Sequence, residues 1–426
     1  MASGIDAFAL SFSDIPEDVQ LCVLSFLSPA EISSFACTSR RFAALCRDDG
    51  KLWHAMCDRR WGRKTQIQKW GKGRIGYRVL YRTLSEWENL IGFWRRCGRA
   101  NPAASSPPLV FFEWGPSFML GSRVSPTGNG TYHVMKTPFL WMGLSQEGRV
   151  VNFLDLDGKP GSGFGIEDLG FTNGNFVPVD VNFMGNCHFM VEENRCSTYN
   201  SRGGSKSNSS GDESEDLITG KSPDFMVSEM YSRFANRMSP GDSRRQRRKE
   251  KERQARIKWE PEHFVKVVDC SPTTTKPLQG LWKGFCHGKN LEFYFVKYDE
   301  VGGIICRKVE DLSLSRNTVP VFWASKASLD DSSISIEEEE QIFNGRIHIT
   351  PLTAEDHEKV VSRVLHMSSS YDLALPGSAT GDGRIWLYEN GTFGFGFLRD
   401  QFIIDLKRVV EDGCLAEESG ASLPCH

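Results

Sequence analysis

The chain has 426 residues, 39% of them hydrophobic and 11% aromatic, and a formal net charge of −3. This length suits two or three structural units with a real core, and the near-neutral balance excludes any global electrostatic case for nucleic-acid or membrane binding. Its twelve cysteines are scattered singly, with no CxxC pair and no zinc-ligand spacing, and Cys22, Cys37 and Cys46 sit inside apolar helical patterns, as free thiols do in a reducing compartment.

Residues 12 to 62 read as a compact set of short helices. Pro16 suits a first helical position with Asp14 upstream as its cap. Val19, Val23, Leu24 and Leu27 then recur at helical spacing. Ser28-Pro29 restarts a helix with the stripe Ile32, Phe35 and Ala36, Ser39 opens a third carrying Phe42 and Leu45, and Leu52, Trp53 and Met56 mark a fourth. Each is too short to stand alone, so the four must pack together. Residues 63 to 96 hold a basic loop and a helical stretch from Tyr77 to Trp87, whose positions Tyr77, Leu80, Tyr81, Leu84 and Trp87 predict a connector packed on both neighbours.

From Leu90 the period changes to that of short strands divided by Gly, Pro and Asn: Leu109 to Phe112, Met119 to Val124, Tyr132 to Met135, Phe139 to Met142 and Val150 to Phe153. The texture resumes near Phe264, through Leu291 to Val296, Gly302 to Cys306, Arg346 to Ile349 and Arg384 to Tyr388. Asn390-Gly391 predicts a hairpin into Phe393-Gly394-Phe395-Gly396-Phe397. So many short strands favour a closed or nearly closed barrel, with residues 97–196 and 261–412 as its two parts and 413–426 as a flexible tail. Between the parts, 197–260 is polar, Ser-rich, then acidic at Asp212-Glu213, then basic from Arg244 to Lys258. That composition buries too little apolar surface to offset ordering entropy and predicts a disordered insertion. The acidic, Ser-rich stretch Ser328 to Glu340 predicts another exposed loop.

The helical unit resembles a complete F-box. The resemblance rests on Asp14-Ile15-Pro16-Glu17-Asp18-Val19, Leu24-Ser25-Phe26-Leu27-Ser28-Pro29, Cys37-Thr38-Ser39-Arg40-Arg41-Phe42 and Leu52-Trp53, over roughly residues 12 to 60, with Ile15 where Leu is usual. It implies that Ile15, Pro16, Val19, Leu24 and Leu27 insert into a groove on a Skp-type adaptor and, through it, reach a cullin scaffold. Ile32, Cys37, Phe42 and Leu45 would be internal packing. The segments Asn89 to Trp94, Glu113-Trp114-Gly115, Lys136 to Trp141 and Leu278 to Gly284 resemble F-box-only proteins with a large C-terminal β-barrel. In these the barrel is interrupted by a disordered insertion and recognises the protein to be ubiquitinated. The fold expected is therefore α+β, a helical F-box followed by a split antiparallel β-barrel with a disordered insertion.

The function this implies is that of a non-catalytic substrate receptor in a Skp-cullin-F-box type ubiquitin ligase, located in nucleus or cytoplasm. No G-x-S-x-G, H-E-x-x-H or P-loop occurs, and no metal or cofactor is expected. Substrate capture at the open end of the barrel calls for an apolar slot and polar groups. Trp114, Phe139, Trp141 and Trp386 are candidates for the slot, and Arg123, Arg384 and Arg399 for an acidic or carboxylate group. Gly280-x-Trp282 also resembles the first-strand signature of small ligand-binding barrels, the lipocalin type. The alternative is then a small-ligand barrel whose F-box controls its own turnover, with His287, His348 and His366 as conceivable haem ligands. The first residues lack a basic segment followed by an apolar one, so an intracellular chain is expected and the glycosylation triplets at Asn129, Asn208 and Asn390 are read as chance. The basic run suits either a nuclear-import element or a solvated mixed-charge helix; Glu250 and Glu252 interrupt it and no aromatics interleave, which argues against nucleic acid. Ser205 to Ser214, beside acids, suits phosphorylation.

Overall fold

A computed structural model describes residues 11–97, 109–127, 130–155, 176–194, 261–270, 272–285, 290–309, 321–329, 336–350, 361–371, 381–411 and 414–415. The expected insertion, its basic run and serines, residues 416–426 of the expected tail and His287 lie outside the described residues, whereas Cys414–Leu415 of that tail form a short strand.

Five helices form the N-terminal unit and connector: α1 (Glu17–Leu24), α2 (Pro29–Ala36), α3 (Arg40–Cys46), α4 (His54–Trp61) and α5 (Tyr77–Trp87). Local chemistry sets their ends. Ser28 and Glu31 cap α2 reciprocally around Pro29, and the Ser39 hydroxyl accepts from Phe42 N to start α3. Asp14 does not cap α1; it closes a short turn, Phe12–Asp14, with Ser11. Phe12, Phe35 and Phe42 then pack as an aromatic trio, with ring centroids 4.5 to 5.8 Å apart.

The start of α5 is capped from far away in sequence. The Asp49 carboxylate accepts from Tyr77 N and Arg78 N, each at 2.8 Å, satisfying two first-turn donors that the helix itself cannot. Asp49→Ala is expected to cost about 1–2 kcal/mol, read as a lower urea midpoint of the full chain; an unchanged midpoint would show that water replaces this cap.

Eight antiparallel strands close the first barrel: β1 (Gly92–Cys97), β2 (Leu109–Trp114), β3 (Met119–Pro126), β4 (Val134–Leu144), β5 (Val150–Asp155), β6 (Phe176–Phe183), β7 (His188–Glu193) and β8 (Glu262–Lys266). The barrel is split as expected, because β7 and β8 flank residues 195–260 yet pair directly, Phe189 opposite Phe264. β1 falls inside the range read as connector, so the helical segment ends at α5. One core runs from Leu21 and Ile32 through Trp61, Trp70 and Leu84 into Trp94, Phe112, Phe139 and Phe264 of the lumen. α5 therefore packs on both neighbours, and the helical unit plugs the barrel base.

The second part of the chain supplies only β8 to that barrel. Its other strands form a second one: β9 (Gly280–Phe285), β10 (Leu291–Tyr298), β11 (Ile304–Lys308), β12 (Val321–Leu329), β13 (Ile347–Ile349), β14 (Val361–Tyr371), β15 (Gly381–Tyr388), β16 (Phe393–Phe397) and β17 (Phe402–Arg408). Chain order β9-β10-β11-β12-β14-β15-β16-β17 returns to β9 at Lys407 and Arg408, while β13 runs parallel to β17 at Phe402 to Ile404. Both take the edge of β17 that β16 leaves, so this ring closes at one end and is wedged at the other. β18 (Val410–Glu411) and β19 (Cys414–Leu415) make a small terminal ladder. The barrels pack through Phe93, Phe111, Val124 and Tyr132 on one side and Leu281, Phe285, Phe293 and Val409 on the other.

The acidic stretch is not wholly an exposed loop. α6 (Ile336–Asn344) lies on the second barrel with Ile342 and Phe343 against Trp386, Tyr388 and Ile403. Glu339 is buried there and accepts from Arg384 and from Trp386 Nε1. Beneath, the Asn-Gly hairpin leads into β16 as expected. Its phenylalanines fill the lumen, and a Cβ at Gly396 would stand 2.2 Å from the Trp386 ring, so glycine is what lets that indole lie flat.

Candidate functional site

Two surfaces stand at opposite ends of the continuous core. The first is on α1. Gln20, Leu21 and Leu24 are buried, whereas Val19, Val23 and Phe26 are 43%, 47% and 69% exposed. Val19 and Val23 share one face of α1 and Phe26 follows in the turn just past its end, so a helical corner with a full inner face presents a separate apolar surface outside. Buried Gln20 fixes the preceding corner by donating its Nε2 to Phe12 O at 2.7 Å and Ile15 O at 2.8 Å. Pro16 is exposed and Ile15 and Leu27 are half-buried. Leu24 is corrected: at 1% exposure it is core, because it shares the inner face with Leu21. Cys37, read as packing, is exposed at the end of α2, while Ile32, Phe42 and Leu45 pack inside. Val23 and Phe26 were legible as apolar residues but not separated from Leu24 without the helix phase; Gln20 carries no sequence signal.

The second surface is the mouth of the first barrel, opposite the helical plug. Arg96 is buried and lies opposite Phe264, a lumen residue, so it faces inward. On β3 the guanidinium of Arg123 lies 4.7 Å from the centroid of Phe139, a geometry for cation–π attraction. Phe139 is fully buried at the irregularity where the β3–β4 register shifts. Glu262 and Asp155 complete the ring of charge. Burial pulls the Arg123 pKa below its ordinary value; Glu262 acts to raise it, Arg96 to lower it and Asp155 to raise it. Arginine remains charged at neutral pH, so the mouth holds a desolvated cation over an aromatic face.

The other candidate residues do not converge there. Trp114 sits at the barrel base, its ring 6.4 Å from Trp70, because β2 runs from the mouth to the plug. Trp141 pairs with Leu120 and Phe153, on the face opposite inward-facing Leu140 and Met142. Arg384 and Trp386 are consumed by Glu339 under α6, and Arg399 is exposed after β16 on the second barrel. Of the histidines, His348 Nδ1 bonds Asp405 Oδ2 at 2.9 Å, and the side chain of His366 lies outside the described residues. Burial pushes the Cys57 and Cys270 thiols up to about 12, the reverse of what a nucleophile needs.

Comparison with known proteins agrees with the helical unit. An F-box-like family model matches residues 12–59. The chain is also 66% identical over 430 residues to an F-box protein of Arabidopsis thaliana, covering 98% of this chain and 99% of the relative.

Proposed function

Since the chain belongs to the F-box protein family, we propose that the Ile15 to Phe26 surface docks a Skp-type adaptor of a cullin-type ubiquitin ligase and that the mouth of the first barrel engages the protein to be modified. F-box domains generally bind such adaptors, and F-box proteins typically serve as non-catalytic receptors. The observation that carries the reading is the exposed apolar surface of Val19 and Val23 on α1 and Phe26 in the turn after it, beside a helix whose inner face is already filled. Such a surface is satisfied by a partner, not by the chain itself.

The continuous core explains how the two ends would cooperate. A receptor contributes proximity and orientation to chemistry carried out by other subunits, and a helical plug fused to the barrel interior holds the mouth at a fixed distance from the adaptor. At the mouth, Arg123 offers charge-assisted hydrogen bonds to a carboxylate, each stabilising by about 1.5–3 kcal/mol. Arg123→Met keeps the stem over Phe139 and removes the charge. Proteins whose ubiquitination depends on the full chain in cells are expected to lose about 10-fold or more of their capture by this variant, while adaptor co-purification is retained. Unchanged substrate modification would remove the mouth from the reading.

The small-ligand alternative has less support. The lumen of the second barrel, where the Gly280-x-Trp282 signature lies, is occupied by its own aromatics, with Trp323 stacked 4.3 Å from Phe395 and Trp282 4.6 Å from Phe393.

A further inference from the structure

The outer face of β15 and β16 is not built like the wall of a solvated barrel. Phe393, Phe395 and Phe397 fill the lumen, so Gly394 and Gly396 face outward. A Cβ on either would stand 2.2 Å from Tyr388 or Trp386, so both rings lie flat over β16, beside Ile403 and with Arg384 on the same face of β15. All four are buried. What covers them is α6, and it does so through few groups. Glu339 accepts from Arg384 and, at 3.0 Å, from Trp386 Nε1, and the Phe343 ring lies 5.5 Å from that of Trp386. Ile342 and Phe343 are nevertheless only half-buried, and Glu337, Glu338 and Glu340 are exposed. A nine-residue helix is too short to persist in water by itself, so α6 is helical because this face accepts it. Beside it lies a cleft of about 610 Å³, lined by Gln341, Ile342, Arg346, Leu398 and Gln401, so α6 covers the face without filling it.

We propose that this face docks an amphipathic helical segment of a partner protein, an acidic residue followed three and four positions later by an aliphatic and an aromatic one, and that α6 occupies it in cis as a competitor. Glu339, Ile342 and Phe343 stand at i, i+3 and i+4, the spacing with which one helix face enters a groove. The Arg384 guanidinium and the Trp386 indole offer donors and no acceptor, so a neutral or basic segment would leave a buried charge unpaired. A partner segment that also places an apolar group in the cleft gains contacts that α6 does not make. Arg384 and Trp386, expected from the sequence to capture substrate, then act on the second barrel, independently of what the mouth of the first one binds.

The test uses the purified full chain and a fluorescein-labelled peptide of residues 336–346, read by fluorescence anisotropy. In Glu339→Gln/Ile342→Ala/Phe343→Ala the cis segment loses its hold while Arg384 and Trp386 stay. The peptide is expected to bind this variant at least ten-fold more tightly than wild type, where the cis segment competes. Peptides carrying Glu339→Gln or Phe343→Ala should each bind the variant at least ten-fold more weakly than the parent peptide. Amide hydrogen exchange of the wild type with unlabelled peptide in excess gives an answer that does not depend on how the variant folds. Exchange should speed up across residues 336–344 and stay slow in β15 and β16. No binding to a folded triple variant, or unchanged exchange in α6, overturns the proposal and makes α6 a fixed part of the barrel. So does a wild-type dimer by light scattering that the triple variant converts to monomer, since a second copy's α6 would then be the occupant.

Discussion

Trp94→Ala and Trp282→Ala are each expected to destabilise the chain by about 3–5 kcal/mol, among the largest effects of any single substitution. Both indoles are 1% exposed, and each closes the base of its barrel in the same manner. Trp94 Nε1 donates to Leu90 O at 2.6 Å and Trp282 Nε1 to Leu278 O at 2.8 Å. Two residues before each stands a glycine in the left-handed region, Gly92 at φ 109° and Gly280 at φ 133°, where a side chain is strained. Truncation removes the ring and leaves the leucine carbonyl without its donor, so cavity and hydrogen-bond costs add. Trp94→Phe and Trp282→Phe keep most of the volume and should recover more than half. Urea unfolding followed by circular dichroism measures all four. Trp94→Ala should also loosen the helical plug, because its core continues into the F-box, whereas Trp282→Ala should act on the second barrel first. Losses below about 1 kcal/mol would mean that neither indole closes its barrel.

That repeated arrangement marks both what the sequence discloses and what strand texture alone leaves hidden. Leu90-x-Gly92-x-Trp94 and Leu278-x-Gly280-x-Trp282 spell one motif twice, which is a sign of two barrels. Strand texture alone reports that strands exist and not which of them pair, so a single split barrel absorbed all of them. The split itself was legible, since a polar segment with so little apolar surface has to interrupt a sheet between strands and not within one. α6 was hidden for a different reason. Consecutive glutamates read as solvated, and the helix declares itself only through Glu339, Ile342 and Phe343 on one face, with Arg384 supplied from a strand 45 residues later. At the mouth, Arg123 and Phe139 were each legible as chemistry; Arg96 and Glu262 were not, because only barrel register turns them inward. Trp114, Trp141 and Trp386 show the limit of picking aromatics near turns: a wide ring is as useful to a plug or a wall as to a binding slot.

Docking to the adaptor is expected to fail in a Val19→Asp/Val23→Asp/Phe26→Asp variant and to survive in Leu24→Ala, a contrast that follows from the helix phase of α1. Burying an exposed Val or Phe at an interface contributes about 1.5–3 kcal/mol, and a carboxylate placed in an apolar groove adds a desolvation penalty. Phe26→Asp alone should weaken binding by about 30-fold or more, the size of effect seen at interface hot spots, and the triple variant should abolish co-purification. Arg59, whose guanidinium lies 4.3 Å from the Phe26 ring, would have to yield that face or frame it when the partner arrives. Leu24→Ala leaves the outer stripe intact and opens a cavity inside, costing about 2–5 kcal/mol of helical-unit stability. Its adaptor affinity should therefore be near wild type at low temperature and collapse as the unit melts. Titration calorimetry with the purified Skp-type adaptor, run beside circular dichroism of each variant, separates the two behaviours. Wild-type affinity in the triple variant would assign α1 to a cap on the barrel and leave the adaptor to another face.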